Sequence, residues 1–69
     1  MSLAELHGLQ DVSSEATNTI GIARARSGDM EGGIESVEQS LQIALAADLP
    51  HAACRAYANL GMLYGAIDH

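Results

Sequence analysis

Two punctuation points divide this chain, and together they leave little room for anything but helices. Pro50 is the only proline. It disfavours helical geometry at Leu49 and suits the first turn of a following helix, so Asp48-Leu49-Pro50 is read as the connection between two helices. Upstream, Gly28 is a natural helix stop. Asp29 follows it directly and can accept a hydrogen bond from the first free amides of a new helix, with Glu31 matching the positive end of the helix dipole. The predicted order is a helix over about 14–27 capped by Ser13 or Ser14, a second helix completing a hairpin over 14–47, and a third over 50–66. Leu3, Leu6 and Leu9 suggest a short helical piece or tail over 1–12.

The spacing of apolar residues supports helices rather than strands, because no segment alternates and the β-branched residues are scattered. In the first helix Ala16, Ile20, Ala23 and Ser27 form a narrow, weakly apolar face. In the second, Ile34, Val37, Leu41, Ala44 and Leu45 recur on one face beside a stripe of Glu31, Glu35 and Glu38. In the third, Ala53, Tyr57, Leu60, Gly61 and Tyr64 share a face. The fold class is all-α: an antiparallel helical hairpin plus one further helix.

Composition says how such helices must pack. Hydrophobic residues make up 48% of the 69, yet there are only two Tyr and no Trp or Phe. The apolar volume therefore comes from Ala, Leu, Ile and Val, which suits thin helices that approach closely. A chain this short buries a small fraction of its surface, so a partner or neighbouring repeats are expected to complete its core.

Several function classes are read as excluded. The net charge is −6, with nine acidic residues against three Arg and no Lys. That balance repels a polyphosphate backbone or an anionic lipid surface, so neither nucleic acid nor membrane is expected as a partner. No stretch approaches the roughly 18 apolar residues of a membrane span. The start, Met1-Ser2-Leu3-Ala4-Glu5, lacks a basic signal region, and the lone Cys54 cannot form an internal disulfide. A cytoplasmic location is expected.

Candidate chemistry is incomplete at every point. His51 and Cys54 stand at i and i+3, but a closed zinc site needs further ligands, and His7 and His69 lie at opposite ends of the chain. The stretch from Gly28 to Gly33 lacks the Lys and Ser/Thr of a phosphate loop, and Asp29 and Glu31 would repel a phosphate. Glu31, Glu35 and Glu38 have no neighbouring base, and Ser13, Ser14, Ser36 and Ser40 no activating one. No catalytic residue, cofactor or metal is expected.

Sliding the chain on itself by 40 positions superposes Ile20-Gly21 on Leu60-Gly61, Leu9 on Leu49 and Ala16 on Ala56. Tyr57, Leu60, Gly61 and Tyr64 read aromatic-x₂-Leu-Gly-x₂-Tyr. This resembles the first-helix signature of a tetratricopeptide repeat. The earlier copy keeps the apolar-Gly core at Ile20 and Gly21 but has Thr17 and Arg24 in the aromatic slots. Gly33 and Val37 fall at the family's small-x₃-aromatic spacing in the second helix. The unit is longer than the usual repeat of about 34 residues. Mid-helix glycine costs roughly 1 kcal/mol relative to Ala, which makes sense at Gly21, Gly33 and Gly61 where backbones meet. Gly61 is expected at the closest approach between the second and third helices.

The resemblance implies a protein-binding scaffold without catalysis, whose packing residues are Ile20, Gly21, Gly33, Val37, Tyr57, Leu60, Gly61 and Tyr64. Its expected partner is a protein or peptide, with the chain either homo-oligomeric or part of a longer repeat array. Leu60, Leu63 and Tyr64 are expected to lack a covering helix. The alternatives are a small self-associating structural protein, or a regulatory segment of a larger bacterial signalling or transcription regulator.

Overall fold

The structure, a computed structural model, describes residues 2–67. Met1, at the chain start, and His69, weighed as a metal ligand, lie outside the described residues. The elements are α1 (Leu3–Arg26), α2 (Met30–Ala46) and α3 (Pro50–Ile67), with no strand among the described residues. The fold is all-α.

α1 begins well before the predicted start. Its cap is Ser2, whose Oγ accepts from the Glu5 N–H at 3.1 Å. Ser13 and Ser14, expected as caps, lie mid-helix. Nothing between Leu3 and Arg26 forces a break, since there is no proline and Gly8 and Gly21 cost only about 1 kcal/mol each. Thr17 and Thr19 turn their hydroxyls back onto the carbonyls of Ser13 and Glu15 at 2.8 and 3.0 Å, leaving the helix intact.

Both turns use the same device. Gly28, at φ +103°, donates its N–H to the Ala25 carbonyl, and Asp29 donates to that of Arg24 at 2.9 Å. This pair of backward bonds satisfies the last carbonyls of α1. Asp29 Oδ1 then accepts from the Gly32 N–H at 2.9 Å and caps α2. In the second turn Asp48, at φ 56°, bonds back to Leu45, and Leu49 bonds to Ala44 at 2.9 Å. Pro50 opens α3. A left-handed residue that is not glycine is tolerated here because aspartate is among the side chains least opposed to that conformation.

α1 and α2 form an antiparallel hairpin arranged evenly about Ser27. Gly21 and Gly33 sit six residues to either side of it, and Ser14 and Ser40 thirteen. A Cβ on Gly21 would lie 2.7 Å from the Gly33 carbonyl oxygen, and one on Gly33 2.6 Å from that of Gly21. The two backbones are therefore in direct contact. Farther along, the buried hydroxyls of Ser14 and Ser40 each donate to the other residue's carbonyl.

This close approach decides which face α1 buries. Ser14, Asn18 and Gly21 are buried and Ala25 is half-buried, whereas Ala16, Ala23 and Ser27 are exposed and Ile20 is 50% exposed. The expected face of α1 is thus corrected: the face that meets α2 carries Gly21 at the closest approach with polar Ser14 and Asn18 along it, and the most apolar residue, Ile20, is left outside. α2 buries Val37, Leu41 and Ala44 with Ile34 half-buried, but Leu45, also expected inside, is 50% exposed. Leu45 lies a further 100° around the helix from Ala44, past the edge of the contact.

α3 packs on this hairpin through Ala52, Ala53, Ala56 and Leu63, with Leu60 half-buried. Leu63, expected to be uncovered, is therefore part of the core. An exposed ion pair, Glu15 Oε1 to Arg55 Nη1 at 3.1 Å, ties α3 to α1. Such surface pairs add little stability. Gly61 is exposed and has no neighbour within 4 Å of where its Cβ would stand. The closest approach expected there belongs instead to Gly21 and Gly33.

Candidate functional site

The antiparallel arrangement of α2 and α3 leaves an open apolar groove at the turn joining them. Leu45, Leu49, Pro50, Ala53 and Tyr57 line it, with Asp48 at its end, and it encloses about 270 Å³. Leu49 reaches it because the left-handed Asp48 swings the chain back over Ala44. The apolar surface continues along α3 from Tyr57 past Gly61 to Tyr64, at spacings of four and three that keep the three on one flank.

Tyr64 is held at the far end of this flank. Its hydroxyl donates to Glu38 Oε1 at 2.9 Å. That hydrogen bond and the carboxylate's negative charge raise the phenol above its ordinary value of 10.0. Glu38 belongs to an exposed stripe with Glu31 and Glu35 at spacings of four and three, which continues through Gln42 to Leu45 at the groove. Asp48 is the acidic residue that lines the groove itself, and Glu38 stands beyond it at Tyr64.

The arginines stand elsewhere. Arg55 pairs with Glu15 of α1. Arg24 reaches the Ser36 Oγ at 3.4 Å from α1, and Arg26 borders a second open groove with Ile22, Met30 and Met62. Acidic charge thus lies along the outer α2 surface, and two of the arginines, Arg24 and Arg26, stand in the last turn of α1.

Of the residues singled out by the sequence, the structure brings Gly21, Gly33 and Val37 together at the α1–α2 contact, where a Cβ on Gly21 would stand 2.7 Å from Val37 Cγ2. Leu60 packs at the edge of the core. Tyr57, Gly61 and Tyr64 share the exposed flank of α3, and Ile20 lies exposed on α1. Sequence reasoning does not single out Ser14, Ser40 and Asn18 as interface residues, although the even placement of Ser14 and Ser40 about Ser27 is visible in it. Asn18 Oδ1 is buried without a hydrogen-bond partner.

His51 and Cys54 are both exposed on α3. Among the described residues no three His, Cys, Asp or Glu side chains cluster closely enough to hold a metal ion. No helix among them is long and apolar enough to cross a membrane.

The 40-residue offset places Gly61 of α3 where Gly21 stands in α1. At Gly21 the backbone of α2 fills the space over the glycine, and at Gly61 that space is empty. No family model, curated protein or solved structure matches this chain.

Proposed function

We propose that this chain is a tetratricopeptide-like helical-repeat segment, cytoplasmic and without catalytic activity, that serves as a scaffold binding another protein through the uncovered flank of α3. The observation that carries this reading is the pair Gly21 and Gly61. Each lies within a continuous helix, 40 residues apart, one closed over by a second helix and one open. A helix laid on α3 as α2 lies on α1 would close over Gly61 and pack beside Tyr57 and Tyr64, both now about half exposed. Burying large apolar side chains is worth about 1.5–3 kcal/mol each.

The test is a chain extended after Ile67 by a second copy of residues 28–67. In this chain the copied Gly33 would meet Gly61. One cooperative unfolding transition at a higher denaturant midpoint and with a steeper denaturant dependence is expected, as in stacked repeats. An added segment that melts separately would overturn the repeat reading.

Self-association is a second reading. Gly61 and Gly65 both lie open on α3, so two copies could cross closely there. The net charge of −6 on each copy opposes it. Light scattering across a wide dilution range separates a dimer from a monomer. As a regulatory segment of a larger protein, the chain would use the same flank.

A further inference from the structure

We infer that the α2–α3 groove receives a basic amphipathic helix from another protein. The inference rests on the scaffold reading above and specifies the partner. Shape argues for a helix. Gly61 removes the side chain where a second helix backbone would come closest, and the same position in α1 already receives a helix in that way. Beside it, Leu45, Leu49 and Tyr57 offer an apolar floor for the partner's inner face.

Charge specifies the partner's flank. A helix lying over Gly61 runs beside α2, where it meets Glu38 at Tyr64, and its end passes Asp48 at the turn. None of the three arginines borders this surface, since Arg55 pairs with Glu15, Arg24 reaches Ser36 and Arg26 lines the other groove. The partner's flank over α2 therefore carries Lys or Arg. A second copy fits poorly, because α2 contains no basic residue and the whole chain repeats the acidic excess. Complementary charge of this kind selects partners and speeds encounter more than it adds raw affinity.

The experiment titrates the full chain into two labelled, designed helical peptides of about 18 residues, about the 27 Å length of α3. Both carry the same Ala/Leu face, one flanked by Lys and the other by Glu. Fluorescence anisotropy should show the Lys peptide binding at least about tenfold more tightly, and losing affinity as salt rises. Gly61→Leu has open space for its side chain, so its circular dichroism should match the native chain, while binding of the Lys peptide falls by about tenfold or more as the close approach is blocked.

Equal binding of the two peptides, or of neither, would overturn the inference. So would binding of the Lys peptide that is indifferent to Gly61→Leu. A concentration-dependent dimer abolished by Gly61→Leu would assign the groove to a second copy instead. If the extended two-copy chain unfolds as one unit while the peptides show no charge preference, the repeat reading stands and only the basic partner is lost.

Discussion

Ser14 and Ser40 exchange hydrogen bonds across the α1–α2 interface. Ser14 Oγ donates to the Ser40 carbonyl at 3.0 Å and Ser40 Oγ to the Ser14 carbonyl at 2.8 Å, with the two hydroxyl oxygens 3.1 Å apart. Each hydroxyl has one proton, so only two of these three contacts are filled at once. The pair links the helices where neither can place a large side chain, and both residues are buried.

Because the hydroxyls touch each other, their contributions should not add. Ser14→Ala and Ser40→Ala should each lower stability by about 1 kcal/mol. In the double variant the loss should fall short of the sum by about 0.5 kcal/mol or more. Urea unfolding of the four proteins measures this, and strictly additive losses would show that the two serines act independently.

The glycines should respond to alanine with opposite signs. At Gly21 the new Cβ would meet the Gly33 carbonyl oxygen and Val37 Cγ2, both at 2.7 Å, and at Gly33 it would meet the Gly21 carbonyl oxygen at 2.6 Å. The nearest atom in each case is backbone, so the helices must move apart. Gly21→Ala and Gly33→Ala should cost about 1–3 kcal/mol despite better helix propensity. Gly61→Ala meets nothing and should gain about 0.5–1 kcal/mol. Thermal or urea unfolding decides it, and a gain at Gly21 would mean that the backbones are not in contact in solution.

Tyr64 should ionise at higher pH in the folded chain than in the unfolded one, because the hydrogen bond to Glu38, and then its charge, favour the neutral phenol. The sign follows directly. A raised folded value contributes stability that is fully present below the ordinary value of 10.0 and is lost as pH rises through the folded value. Ultraviolet titration should find a tyrosine ionising above that value, and Glu38→Gln should bring it back toward the ordinary one. Identical titrations of the two proteins would mean that this contact does not form.

Several elements are legible in the amino-acid sequence itself, because local chemistry decides them. Gly28 and Asp29 end one helix and start the next through bonds spanning five residues or fewer. Pro50 opens α3 for reasons contained in its own ring, and Val37, Leu41 and Ala44 show the inner face of α2 by spacing alone. The candidate site is half legible. Tyr57, Gly61 and Tyr64 are on one flank as their spacing requires, but no local rule says whether that flank faces in or out.

Tertiary structure alone decided which face of α1 turns inward and where its closest contact lies. Hydrophobic periodicity favoured Ile20, whereas the face that meets the α2 backbone carries Ser14, Asn18, Gly21 and Ala25. Pair distance is a property of two helices, so neither segment encodes it by itself. The same holds for Gly61, whose residue type suits a close approach although no second helix among the described residues comes to it. Side-chain size and spacing settle what a helix can accept, and only the positions of its neighbours settle what it receives.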